Sequence, residues 1–215
     1  MAFCTDADLL HWEPSVLKDA TFASQALISG TGNLTGTSFV ISTGSFVASQ
    51  VQVGNVMVLS GAVAGCFPVA AINSATQVTL SVLYDGLFPD EGAPAPVSIG
   101  TATGLTFVVR TFWPQRRIVS DVIQQAAGIA SGESAASSVL NPKELRRACA
   151  LGTLQQIYSA MAAASSSPAM LNTRADLYEG LYRRALRAAK VELDLNADGR
   201  VDVIRSLGVL EFQRH

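Results

Sequence analysis

Histidine is nearly missing from this 215-residue chain: His11 stands beside Trp12, and His215 is the last residue. Neither falls in a zinc or nucleophile signature, so the commonest general base and metal ligand has no setting here. Cysteine is scarce as well. Cys4, Cys66 and Cys149 are an odd number without metal-type spacing and read as reduced thiols of a protein made in a cytosol. No apolar run approaches the roughly 18–20 residues of a membrane-spanning helix. The opening MAFCTDADLL has acids where a secretory leader would have lysines, so no leader is expected. A net charge of −2 gives no steering toward nucleic acid or an anionic membrane. The stretch Gly30-Thr31-Gly32-Asn33-Leu34-Thr35-Gly36 lacks the lysine of a P-loop and the third-glycine spacing of a dinucleotide loop, and reads as a β turn. Asp6 with Asp8 and Glu192 with Asp194 read as solvated helix ends. No catalytic residue, cofactor or enzymatic activity is expected.

Charge is absent unevenly. Between Thr21 and Val109 the only charged residues are Asp85, Asp90 and Glu91, whereas from Arg110 onward fourteen Lys or Arg face ten Asp or Glu. Such a break marks two modules. The poorly charged one, residues 21–110, reads as all-β. Gln77-Val78-Thr79-Leu80-Ser81-Val82 alternates strictly, and Leu105, Phe107 and Val109 repeat that pattern. Val56–Leu59 and Phe67–Ile72 are shorter apolar runs, and Pro68 places its strand at an edge or a bulge. Spacing near ten residues with Gly and Asn turns predicts a small barrel or sandwich, with residues 85–96 as an exposed excursion.

The flanking residues read as helices. Thr5 or Asp6 caps a turn carrying Leu9 and Leu10, Pro14 starts another, and Trp12 is expected to anchor the packing. Ile118, Val119, Val122, Ile123, Ala126 and Ala127 make an apolar stripe on a helix ending near Gly128 or Gly132. Asn141 is a good N-cap, with Pro142 at the first helical position and Glu144 where a capping-box acid belongs. Leu145, Ala148, Leu151, Leu154, Tyr158 and Met161 then recur at helical steps until the serines before Pro168. A second helix carries Leu177, Leu181, Ala185 and Ala188 on one line, with Tyr178 and Tyr182 beside it. The predicted fold is therefore α+β: a helical bundle of residues 1–20 and 111–215, with a long C-terminal hairpin (145–163 and 175–193), an extended tail, and an all-β barrel or sandwich inserted at 21–110. Arg183, Arg184, Arg187 and Lys190, with Arg116, Arg117, Arg146 and Arg147, are offset by nearby acids and read as a solvated or subunit-contacting face.

Two features of the C-terminus point to binding. Asp194, Asn196, Asp198 and Asp202 stand at positions 1, 3, 5 and 9 of a calcium-type loop, with Gly199 at position 6. Position 12 is Arg205 instead of a bidentate glutamate, so the favoured reading is an Asx-rich turn, with Gly199 at positive φ. Beyond it Val201, Val203, Ile204, Leu207, Val209, Leu210 and Phe212 are too apolar to float in water. They either fold back on the subunit's own helices or pair with a partner.

The order of parts (a short helical start, a β insertion, then Arg110-Thr111-Phe112-Trp113-Pro114-Gln115 leading into a helix, and a hairpin closed by residues 194–202) resembles the head–tail connector (adaptor) proteins of tailed bacteriophages. The resemblance covers residues 1–20 and about 110–215, in pattern instead of in a diagnostic motif. It implies a virion protein of the neck, assembled in the host cytoplasm. It also implies a homo-oligomeric, dodecameric ring between the portal protein and the tail or neck proteins, through which genomic DNA passes without sequence-specific binding. It implies no enzymatic activity and no membrane. A surface- or carbohydrate-binding accessory module built on the β domain is the alternative, weakened by the few aromatics in that domain's expected loops.

Overall fold

Alternation of apolar and small polar residues builds the largest element of the protein. The computed structural model describes residues 2–20, 25–82, 95–130 and 137–208. Six of its strands are β1 (Ala26–Thr35), β2 (Ser38–Ile41), β3 (Val56–Ser60), β4 (Gly65–Ile72), β5 (Gln77–Leu80) and β6 (Thr101–Arg110). They close into an antiparallel barrel in the order β1-β2-β5-β4-β3-β6. β6 completes the ring by pairing on both sides, with Thr35 of β1 opposite Thr101 and Val56 of β3 opposite Arg110. Closure leaves none of these six strands a free edge at which another chain could add. Pro68, expected at an edge or bulge, lies in β4 one residue before a register shift between Val69 and Ala71.

The barrel interior is filled by inward-pointing residues such as Leu34, Met57, Leu80, Leu105 and Val109, with Phe107 at the centre. Phe39 meets the Phe107 ring edge-on at 5.2 Å, and Phe46 lies 5.9 Å from it. These rings explain the glycines of β1. A Cβ on Gly32 would stand 2.6 Å from the Phe39 ring and 2.7 Å from the Val40 carbonyl, and one on Gly30 would stand 3.3 Å from Phe107. Residues 30–35, expected as a turn, are therefore strand, and the turn begins at Gly36 with φ of 65°.

The N-terminal helices belong to this barrel unit, which spans Thr5–Phe112. α1 (Asp6–Leu10) and α2 (Val16–Asp19) are too short to persist alone. Thr5 caps α1 through a capping box with Asp8, in which the Thr5 backbone N–H donates to Asp8 Oδ2 at 2.7 Å. Asp6, read from sequence as a solvated helix end, is fully buried. Its Oδ2 accepts from Asn55 Nδ2 at 2.9 Å and its Oδ1 from the Phe112 N–H at 2.8 Å, while Ala7 N–H donates to the Gly54 carbonyl at 3.0 Å. Leu9 and Leu17 do the packing expected of Trp12, which is 37% exposed.

The second unit comprises Met1–Cys4 and Trp113–His215. It contains α3 (Trp113–Ala126), α4 (Pro142–Ala164), α5 (Ala169–Ala188) and the two-stranded sheet of β7 (Lys190–Leu193) and β8 (Val203–Ser206). α4 is buried through Leu145, Ala148, Leu151, Leu154 and Tyr158, and packs on α3, whose Val119 and Ile123 are buried, as is Ala127 just after it. Tyr158 stacks on Tyr178 of α5 at 5.6 Å, and Arg174 lies over the Tyr158 ring while donating to its hydroxyl at 2.9 Å.

The predicted architecture is overturned. The protein is organised by a closed six-stranded antiparallel barrel, not by a helical bundle with a long C-terminal hairpin into which a β domain is inserted. Two physical reasons stand behind the difference. Residues 5–20 are held by buried polar bonds to Asn55 and Phe112, which helical periodicity cannot register. The stretch expected as helix to residue 193 changes period: α5 ends at Ala188, and Lys190-Val191-Glu192-Leu193 alternates between outward and buried positions as a strand.

Gly152 sits fully inside α4, where glycine ordinarily costs helix stability. A Cβ there would approach Val119 Cγ1 to 2.8 Å and the Tyr182 ring to 3.0 Å. Helix propensity favours Gly152→Ala by about 1 kcal/mol, but overpacking against a stiff β-branched neighbour costs about 1–3 kcal/mol. Net destabilisation is expected, with a fall in melting temperature of a few degrees by circular dichroism. A rise would mean that α3 yields more easily than its burial implies.

Candidate functional site

Those of the predicted binding residues that are described lie in the β7–β8 hairpin and the turn that joins its strands, with Leu207 just beyond β8. In the ladder Lys190 stands opposite Ser206, Val191 opposite Arg205, Glu192 opposite Ile204, and Leu193 opposite Val203. The other edge of β7 is met by a short stretch before α4, where the Leu140 N–H donates to the Glu192 carbonyl and the Asp194 N–H to the Ser138 carbonyl, both at 2.9 Å. Asn141, expected to cap α4, makes no side-chain cap. Its amide instead holds β7, donating to the Lys190 carbonyl and accepting from the Glu192 N–H, each at 2.9 Å.

The calcium-like run is a turn whose carboxylates face its own backbone. Asp194 Oδ1 accepts from the Ala197 N–H at 2.6 Å and the Asp198 N–H at 3.2 Å, and its Oδ2 accepts from the Gly199 N–H at 2.7 Å. Asp202 Oδ2 accepts from the N–H groups of Leu195 and Asn196 at 2.7 and 3.3 Å. Asn196 Oδ1 and Asp198 Oδ1 accept from the N–H groups of Asp198 and Arg200. Gly199 has a φ of 79°, as the turn reading required. Among the described residues no three His, Cys, Asp or Glu side chains are grouped to hold a metal ion.

Arg205, which broke the calcium pattern, has a positive role. Its guanidinium donates to the Ala127 carbonyl at 2.5 Å, just past the end of α3, where a cation complements the helix dipole. Gly128, with φ of 70°, leaves the space for it, since a Cβ there would lie 2.0 Å from Arg205 Nη1. Exchanging millimolar calcium for a chelator is accordingly expected to move the melting temperature by less than about 2 °C, because a ligand that bound only the folded turn would raise it.

Burial acts to raise the Asp194 carboxyl, but the N–H groups of Gly199, Ala197, Asp198 and Asn196 outweigh it and hold it below the ordinary carboxylate range. The stability Asp194 contributes is therefore present above its unfolded value and lost as pH falls through the lower folded value. Asp194→Asn should flatten the acid limb of a stability–pH curve below about pH 4. An unchanged limb would show that the turn is held by other groups.

Of the seven tail residues, Val201 is 45% and Ile204 61% exposed, whereas Val203 and Leu207 are half-buried. Val209, Leu210 and Phe212 lie outside the described residues. The tail thus divides: Val203, Arg205 and Leu207 turn toward their own unit, with Leu207 N–H donating to the Ala189 carbonyl at 3.2 Å, and Ile204 faces out.

Sequence periodicity missed part of the apolar surface. Ile118 and Val122 of α3 are 52% and 45% exposed, and Met170 and Leu177 of α5 are 70% and 55% exposed. The predicted α3 stripe held two faces: Val119, Ile123 and Ala127 go in, while Ile118 and Val122 go out. Six positions so closely spaced are wider than one buried stripe, and that width was the available signal. On α5 the phase was reversed, since Tyr178 is buried and Leu177, placed on the inward line, is not. Only Ala175 and Tyr178 of this 20-residue helix are buried.

Within the barrel unit, Leu10, His11, Pro14, Lys18 and Cys66 line a groove of about 430 Å³. Burial pushes the Cys66 thiol up, and the nearby Lys18 offsets this only in part. A thiol so protonated at neutral pH is a poor nucleophile. No helix among the described residues is long and apolar enough to cross a membrane. Comparison with known proteins returned no match to any protein-family model, curated protein or solved structure, so no relative identifies a head–tail connector family.

Proposed function

We propose that this chain is a structural assembly subunit of the head–tail connector kind, a virion neck protein without a reaction of its own. In this reading copies form a ring, dodecameric by the family resemblance, that docks to the portal on one side and to tail or neck proteins on the other. Genomic DNA passes through the ring without being read. The observation that carries the proposal is the apolar surface of the helical unit, where Ile118, Val122, Met170, Leu177 and Ile204 are all exposed. Only Ala175 and Tyr178 of α5 are buried, and large apolar side chains left exposed on α3, α5 and β8 are the kind that protein contacts cover. The basic residues Arg183, Arg184 and Arg187 on α5 would form a polar rim around that contact.

The test is composition of the particle. Mass spectrometry of purified virions should find the chain at one ring per particle, and Leu177→Glu with Ile118→Glu should leave a folded subunit that no longer enters heads. Absence of the chain from virions, or full incorporation of the double variant, would defeat the reading.

A further inference from the structure

Two of the three cysteines are brought together although 145 residues separate them in sequence. Cys4 Sγ lies 2.7 Å from Cys149 Sγ, and neither residue has any exposed surface. A covalent sulfur–sulfur bond of about 2.05 Å requires the two to close by only roughly 0.7 Å. The surroundings hold both ends in place. Arg116 Nη1 donates to the Cys4 carbonyl at 2.7 Å, and the Phe3 N–H donates to Ser120 Oγ at 3.0 Å. Ser120 Oγ donates to the Arg116 carbonyl at 2.8 Å and lies 3.4 Å from Cys149 Sγ. The N-terminal segment is thus pinned to α3 at the point where its thiol meets α4.

We infer that Cys4 and Cys149 form a redox-modification site, which a peroxide converts into a disulfide tying the N-terminal segment to α4. Cys149, whose sulfur has Ser120 Oγ at 3.4 Å, is the attacking thiol in the sequence proposed. Burial acts to raise it, but hydrogen bonds with Cys4 and Ser120 and the charge of Arg116 bring it below the ordinary thiol value, favouring thiolate. In the first step the Cys149 sulfur attacks one peroxide oxygen. The O–O bond breaks, a sulfenic acid forms, and the departing hydroxide takes up the proton that Cys149 lost, as water. In the second step Cys4 sulfur attacks the sulfenic sulfur, the S–S bond forms, the S–O bond breaks, and hydroxide leaves with the Cys4 proton as a second water. Each sulfur gives up one electron and the peroxide takes both, so atoms and electrons balance. Because Cys4 stands in contact, the sulfenic acid is resolved before further oxidation. The inference does not depend on the assembly reading, since it follows from one pair of side chains within the helical unit.

The experiment uses the full chain, purified reduced and treated with hydrogen peroxide, then unfolded, alkylated with iodoacetamide and weighed. Alkylation should fall from the three thiols of the reduced protein to one, and a peptide map should link Cys4 to Cys149. Cys66→Ser should lose two thiols on oxidation just as the parent does, and Cys4→Ser should lose no pair. Closing so long a loop should also raise the melting temperature of the oxidised protein by roughly 5–15 °C over the reduced one. Three alkylated thiols after peroxide, a linkage through Cys66, or sulfinic acid on Cys149 with Cys4 still a thiol would each overturn the inference. The peptide map of the unsubstituted protein decides the matter even if Cys4→Ser folds poorly.

Discussion

Replacing Asp6 with alanine should lower stability by about 3–5 kcal/mol, roughly 10 °C in melting temperature, although Asp6 lies in a five-residue helix near the chain's start. The carboxylate is fully buried and joins three segments that are distant in sequence: its own helix, Asn55 before β3, and Phe112 after β6. Alanine would leave the Phe112 N–H and the Asn55 amide buried without the oxygens that accept from them, and each such orphan costs about 1–3 kcal/mol. The cavity left by the carboxylate adds to that. Asp6→Asn separates charge from shape. Its oxygen can still accept from Phe112, but its amide then faces the Asn55 amide as donor against donor, and an intermediate loss is expected. Melting followed by the β-sheet signal is the appropriate readout. An Asp6→Ala protein within about 1 kcal/mol of the parent would mean that α1 is not part of the barrel's cohesion.

Asp6 also shows where reading the sequence reaches its limit. Its neighbours gave a sound local inference, since Thr5 does cap a helix. What could not be inferred was the partner, because hydrogen bonds spanning 49 and 106 residues leave no periodic trace. The barrel strands were legible for the opposite reason. Leu105, Phe107 and Val109 all point inward, and a half-buried strand must alternate whatever it pairs with. The order β1-β2-β5-β4-β3-β6 was not legible, because closure depends on which edges meet. Glycine could be read two ways, and Gly32 is where it is because Phe39 needs the space, a fact of packing. In the helical unit the error was one of phase. Leu177 and Tyr178 are adjacent and both apolar, and the aromatic stack with Tyr158 decided which went inside. The surplus of apolar residues at the C-terminus marked a segment that, as far as it is described, forms β8 and the turn after it. Its division into inward Val203 and outward Ile204 followed only from the ladder with β7.

That division sets the last expectation. Ending the chain after Gly199 should cost about 4–6 kcal/mol, or more than about 10 °C, and so would confound any loss of assembly with loss of fold. Removal of β8 strips the ladder from β7 and uncovers Val191 and Leu193, both fully buried. It takes away the Arg205 cap on the Ala127 carbonyl and the Asp202 carboxylate that accepts two turn N–H groups. It also removes Gly208, which packs so tightly on α5 that a Cβ would lie 2.7 Å from the Arg187 Cα. Each backbone pair is worth about 1 kcal/mol net, and re-exposing the two aliphatic side chains adds about 1.5–3 kcal/mol for each that becomes fully wet. A truncated subunit that melted within a degree or two of the parent would show that β8 contributes nothing to its own unit. The cleaner probe of a partner contact is Ile204→Asp. Ile204 is 61% exposed, and among the described residues β8 is paired only with β7. A charge on the outer face of such an edge strand is a recognised way to block further strand addition. Stability should therefore change by less than about 0.5 kcal/mol, while, if the proposed connector role holds, entry into portal-bearing heads should fall at least tenfold. Equal loss of both, or of neither, would remove Ile204 from the proposed assembly surface.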